Sequence, residues 1–343
     1  MADWKSLLHE DQTDWLLNSD NPSIRYFTCR DLLGMDESSP ELLRLQDDIA
    51  QSPIAQMLFA GQEEGGYWYH PDKYRSETKF YGTAWRFILI AEYGLPGSHP
   101  RVRKTAEYLF QCAQDPASGG FWTHVLPHGA HTELPLSPCF NGMLLWSFIR
   151  FGYLEDDRTQ RNLNWVIEHA RFDDGEIINP SPWMLRDGKV DEDDACYGRH
   201  TCIRGAGPIL LALSEVPRQH RTPRLQATLD QGLEFVLKHH VYKKSHDLTK
   251  NMNGWITQLA YPSFTTDMLD LLFILVNEGC RDPRVEEAIR LLIRKQTKEG
   301  KWLTQRSLLM SRRQRLPIPV DEKGAPSQWI TLRAMTVLER WLN

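Results

Sequence analysis

Apolar and polar positions follow two helical registers along this chain. The segments Phe87 to Ala91, Met143 to Trp146, Ile209 to Leu213 and Leu271 to Val276 are apolar nearly all round, as buried helices must be. Helices of mixed polarity lie between them; Val285 to Lys295, for example, carries one apolar stripe and one charged face. The spacing predicts inner helices over 81–94, 139–152, 202–216 and 266–279, with 329–342 as a fifth. Their outer partners start at His99-Pro100-Arg101, Asp157-Arg158, Thr222-Pro223-Arg224 and Asp282-Pro283-Arg284. Proline has a preset φ and no N–H to satisfy, so it suits a helix start, and glycine just past the last turn suits an end. Shorter helical patterns, Trp4 to Leu17, Ser23 to Leu33 and Pro40 to Phe59, come first.

One turn phrase recurs after these helices: Gly65-Gly66-Tyr67-Trp68, Gly119-Gly120-Phe121-Trp122, Asp174-Gly175-Glu176-Ile177 and Glu299-Gly300-Lys301-Trp302. The interval is about 55 residues, or roughly twice about 62, as in a repeat architecture. A copy expected near Val241-Tyr242 has lost its glycine. Alternating inner and outer helices predict an all-α fold, an α/α toroid, or barrel of inner and outer helices built from repeated helical hairpins. An open solenoid of hairpins satisfies the same pattern. We expect one domain over 1–343, with N-terminal helices 1–63 packed on the ring and a repeat region over 64–343. Two connections, Thr123 to Pro138 and Ile178 to Arg199, exceed the about 12 to 15 residues beyond which loops tend to be functional or disordered.

Charge and composition narrow the function. Lys plus Arg total 40 against 45 for Asp plus Glu, a net charge of −5, which argues against a nucleic-acid coat. The basic stretch Gln305 to Pro317 lacks the interleaved aromatics of a nucleic-acid surface. No apolar run approaches the roughly 20 residues of a bilayer helix, and the start lacks a secretory signal, so the cytoplasm is the expected compartment. Peripheral membrane contact and oligomeric state stay open. Six scattered cysteines in 343 residues read as reduced thiols, inert or metal-binding, rather than a disulfide framework.

The phrase Gln114-Asp115 to Gly120-Phe121-Trp122, with its alternating helices, resembles the squalene cyclase and protein prenyltransferase superfamily of terpenoid cyclase-like α/α toroids. The resemblance runs from about Gly65 to the C-terminus and implies a central hydrophobic cavity for an isoprenoid-like, apolar small molecule. Asp191-Glu192-Asp193-Asp194 resembles the Asp-x-Asp-Asp motif of class II terpene cyclases. There Asp193 would be the proton donor, with Asp194 and Asp191 as its partners, since clustering and burial keep one carboxyl protonated. A solvated acidic loop explains the same run.

Asp194-Ala195-Cys196-Tyr197 resembles the zinc ligands of protein prenyltransferase beta subunits, and His200-Thr201-Cys202 the segment carrying their histidine. The repeat frame offers another zinc set. Cys139-Phe-Asn-Gly142 and Cys202-Ile-Arg-Gly205 occupy equivalent positions at the starts of inner helices, with Asp267 in the corresponding place further on. Two thiolates with His200, or with a histidine of the 123–138 loop (His124, His128, His131), match the Cys, Cys, His set of lanthipeptide cyclases. Buried thiols filling space are the plainer account. Tyr81, Trp85, Trp146 and Trp329 are candidates to face an apolar or cationic substrate, although aromatic burial alone explains them. Arg204, with Arg86 and Arg199, is a candidate for a diphosphate. A non-catalytic toroid that binds a ligand or protein, and a polysaccharide-processing toroid, are further alternatives.

Overall fold

The computed structural model of the protein describes residues 3–71, 82–122, 137–175, 201–262, 266–306 and 316–343, with 185–186 and 189–190 as backbone. Of the described residues 56% are helical. The fold class is all-α, of the α/α-toroid type, with apolar inner helices alternating along the chain with amphipathic outer ones. Strands among the described residues form two antiparallel ribbons, β1 (Leu185–Arg186) with β2 (Lys189–Val190) and β3 (Lys243–Lys244) with β4 (Asp247–Asn251). No helix among the described residues is long and apolar enough to cross a membrane.

The helices are α1 (Thr13–Leu17), α2 (Pro22–Phe27), α3 (Pro40–Gln51), α4 (Pro53–Phe59), α5 (Thr83–Glu92), α6 (Pro100–Cys112), α7 (Pro138–Arg150), α8 (Asp157–His169), α9 (Ile203–Glu215), α10 (Pro223–Lys238), α11 (Met268–Asn277), α12 (Glu286–Arg294) and α13 (Gln328–Leu342). The predicted inner helices are thus α5, α7, α9, α11 and α13, and the predicted proline-opened starts are those of α6, α10 and a 3-10 turn before α12. The chain divides into two compact units: a middle unit, 58–92 and 96–235, and a terminal unit, 1–57, 93–95 and 236–343.

In the middle unit every residue of α5 from Thr83 to Ala91 is buried, whereas α8 buries a stripe of Thr159, Asn162, Leu163, Trp165, Val166 and Ile167 and leaves its other face to water. An aromatic core joins the inner and outer layers, with Phe148 of α7 stacked on Phe110 of α6 at 4.2 Å between centroids. Helices α7 and α9 come into backbone contact at Gly142, where an added β-carbon would stand 2.9 Å from the Ile209 nitrogen. A bare glycine is what admits this backbone contact.

The repeated turn phrase is a clamp. Its aromatic residue is fully buried and its backbone N–H donates to a polar side chain of the next inner helix: Trp68 to Thr83 Oγ1 at 3.0 Å, Phe121 to Asn141 Oδ1 at 2.6 Å and Trp302 to Thr331 Oγ1 at 3.0 Å. The indole N–H groups of Trp68 and Trp302 donate to the carbonyls of Ala60 and Leu292. A glutamine before each phrase closes the other side: Gln62 donates to the Arg101 carbonyl, Gln114 to that of Arg158 and Gln296 to that of Leu7. Gly119 takes φ of +83°, and a β-carbon there would meet Arg161 Cβ at 2.6 Å, so conformation and space both require glycine. Where the phrase lost its glycine, His240 and Val241 still adopt φ of +43° and +72°. The turn geometry outlived its preferred residue, at a conformational cost.

Candidate functional site

Two thiols predicted to occupy equivalent repeat positions come together in the middle unit. Cys139 is the second residue of α7 and Cys202 is the N-cap of α9. A β-carbon built on Gly205 would lie 3.7 Å from Cys139 Cβ and 3.9 Å from Cys202 Cβ, so this glycine keeps open the gap that both cysteines border. With Ser137, Arg171, Thr201 and Ile209 they line a cleft of about 30 Å³ free volume, the scale of an ion or a water and far below that of an organic substrate. The Ser137 hydroxyl lies 3.0 Å from Cys139 Sγ. Arg171 stands at the cleft and donates to the Asp173 carboxylate at 2.7 Å.

Neither helix start carries a side-chain cap: Ser137 before α7 and Cys202 before α9 accept no N–H from the first turn. Elsewhere, desolvation pushes the Cys29 and Cys112 thiols up, which makes them poorer nucleophiles.

Asp267, at the third corresponding position, sits in a different environment in the terminal unit. It is 2% exposed and caps α11. Its Oδ1 accepts from the N–H groups of Leu269 (2.8 Å) and Asp270 (3.3 Å), and its Oδ2 from Ala260 (3.1 Å). Asp270 returns the bond to the Asp267 N–H and pairs with Arg333 at 2.6 Å. Burial, and then the charge of Asp270, push the Asp267 carboxyl up to about 8.

The other candidates fall in several places. Trp85 and Trp146 are 7% exposed; Trp85 lies 6.2 Å from Phe140, and Trp146 lies under the Arg150 guanidinium, itself paired with Glu215. Arg204 is exposed on the first turn of α9. Arg86 is buried on α5 and donates to the Leu58 carbonyl at 2.7 Å. Trp329 belongs to the terminal unit, stacked on Tyr261 at 4.3 Å. Tyr81, His124, His128, His131, Asp191, Asp193, Asp194, Cys196, Arg199 and His200 lie outside the described residues. Among the described residues no group of three or more His, Cys, Asp and Glu side chains could hold a metal, so the two thiols supply at most half of a tetrahedral set. Sequence reading missed Ser137, Arg171 and Tyr261. The first stands two residues before Cys139, as His200 stands two before Cys202, which is a signal the repeat frame contained.

No protein-family profile and no curated protein matches the chain. Among solved structures it is similar to a possible family 105 glycoside hydrolase from Salmonella enterica, at TM-score 0.48 and 11% identity, covering 100% of this chain and 94% of that one. It is also similar to a family 105 glycoside hydrolase from C. acetobutylicum, at 0.46 and 13%, covering 94% and 93%. A type II terpene cyclase from Scytonema, in complex with geranylgeranyl dihydroxybenzoate, is similar at 0.39 and 13%, covering 94% and 86%. A terpene cyclase is thus among the folds this chain is similar to, and none of these likenesses assigns it a chemistry.

Proposed function

We propose that the protein is a zinc-dependent enzyme acting on an apolar, isoprenoid-like substrate, with Cys139 and Cys202 as two of the metal ligands. The observation that carries this is the pair of thiols facing one ion-sized gap across Gly205. Zinc prefers thiolate and imidazole donors in tetrahedral array, and the residues next to the pair in sequence, His200, Cys196 and Asp194, are of the types that complete such a set. When bound, the metal would activate a substrate thiol or polarise a substrate oxygen as a Lewis acid.

The chain's own residues would supply the rest. The Ser137 hydroxyl hydrogen-bonds one sulfur and would orient it toward the metal. Tight packing at Gly142 fixes the two helices, and so the separation of the thiols. Arg171, paired with Asp173, forms part of the cleft wall on which a substrate group would rest. The apolar substrate class is supported by the apolar inner helices and by the fold type.

Metal analysis tests the reading. Protein purified without added zinc is expected to hold about one equivalent, and Cys139→Ser and Cys202→Ser are each expected to weaken zinc binding by at least about tenfold. Wild-type protein that is folded, yet holds no zinc and takes up none on titration, overturns it. Zinc-dependent consumption of farnesyl diphosphate in the presence of a thiol acceptor then tests the substrate class.

A further inference from the structure

The terminal unit contains a second cleft, of about 540 Å³, built of different chemistry. Its aromatic wall is Trp329, stacked on Tyr261 at 4.3 Å and 12° and met edge-on by Tyr93 at 5.1 Å and 68°. Trp15 adds a fourth ring. Tyr93 is buried, while Trp15, Tyr261 and Trp329 are half-exposed, so the wall has both a fixed backing and accessible rings. Two carboxylates, Asp20 and Asp321, belong to the same lining. Both are exposed, and among the described residues neither has an ion pair or hydrogen-bond partner. Other polar lining groups make hydrogen bonds within the unit: Gln328 bonds Ser19 and the Trp15 carbonyl, Asn21 caps α2 and Asn18 donates to the Asp14 carbonyl.

We propose that this cleft binds a small organic cation, an alkylammonium or quaternary ammonium group held against the rings and neutralised by Asp20 and Asp321. Charge complementarity carries the choice. Aromatic faces attract cations through their quadrupole, and two uncompensated carboxylates add a field that repels phosphates and other anions. An uncharged apolar guest gains nothing from the carboxylates. One of the four rings already carries a cation, for the Lys301 ammonium rests 4.3 Å over the Trp15 ring. Among the described residues no group of three or more His, Cys, Asp and Glu side chains could hold a metal here, whereas the rings suit a cation that has already shed much of its hydration.

Calorimetric titration of the full chain with choline, and with its uncharged isostere 3,3-dimethylbutan-1-ol, tests this. Choline is expected to bind saturably, at least about tenfold more tightly than the alcohol, and more weakly as salt rises. The double variant Asp20→Asn with Asp321→Asn is expected to lose about tenfold in choline affinity, about threefold for each exposed carboxylate, with an unchanged circular dichroism spectrum. Trp329→Phe, which keeps a ring, is expected to retain part of the affinity. Equal affinity for choline and the alcohol, an unchanged double variant, or saturable binding of cellobiose in place of choline would each overturn the proposal. Zinc content does not enter this test, so it stands or falls separately from the thiol site.

Discussion

The start of α11 in the terminal unit and the starts of α7 and α9 in the middle unit occupy corresponding places in the repeat, yet they are built in opposite ways. Asp267 spends both carboxylate oxygens on three backbone N–H groups and locks α11 with a reciprocal capping box. Ser137 and Cys202 leave their helix starts uncapped and border an ion-sized cleft with two sulfurs. One position holds its helix start with a side-chain cap, and the other two do not. Functional positions tend to break local rules that structural positions obey.

Several substitutions would break or sharpen this contrast. The largest effect is expected at Gly142, where a side chain would collide with the α9 backbone. Gly142→Leu should cost about 3 kcal/mol or more in urea unfolding. Gly205→Ala makes only ordinary contacts with Cys139 and Cys202 and should stay within about 1 kcal/mol of wild type, while its methyl group in the ion-sized gap should weaken zinc uptake measured by competitive chelation. Stability lost with zinc binding intact would reverse the roles assigned to these two glycines.

Next in size is the capping contrast itself. Asp267→Ala removes the acceptor of three buried donors and should cost about 2 kcal/mol, whereas Ser137→Ala removes no cap and should cost less than about 0.5 kcal/mol. Equal losses in thermal unfolding would erase the distinction.

The pH response of Asp267 should be smaller but diagnostic. Its ordinary value is 3.8 and burial beside Asp270 raises it to about 8, so between these limits the folded state holds a proton that the unfolded chain has released. Stability from this group is therefore greatest at low pH and is lost as pH rises through about 8. Asp267→Asn should flatten that part of the stability profile, and a profile still falling with unchanged slope would assign the effect to another group. The smallest effect is expected at the lost repeat glycine. His240→Gly relieves a left-handed backbone and should raise stability by about 0.5 to 1 kcal/mol, seen as a small upward shift in Tm.

Much of the fold was legible because helix starts and ends leave marks. Pro100, Pro138, Pro223 and Pro283 each open a helical element, and the phrase ending in Trp68, Phe121 or Trp302 marks each clamp onto the following inner helix. The sequence did not reveal what the clamp does, because the polar partners Thr83, Asn141 and Thr331 lie at unequal distances, 15, 20 and 29 residues on. Cys139 and Cys202 border one cleft although their places differ by two residues, Cys139 being the second residue of α7 and Cys202 the N-cap of α9, so the repeat frame placed them near each other without fixing their register. Arg171 escaped notice because it follows the outer helix α8, far along the chain from both cysteines, and only packing brings it to the cleft. The cleft of Trp15, Tyr93, Tyr261 and Trp329 escaped for the same reason, since four separated segments contribute one ring each.

The most direct measurement is the absorption spectrum of the cobalt-substituted protein. If Cys139 and Cys202 are joint ligands, cobalt should give a thiolate charge-transfer band with tetrahedral visible bands, and each single serine variant should lose about half of the charge-transfer intensity. A folded protein that shows no such band, or one whose band is unchanged when either cysteine is replaced, would contradict the site.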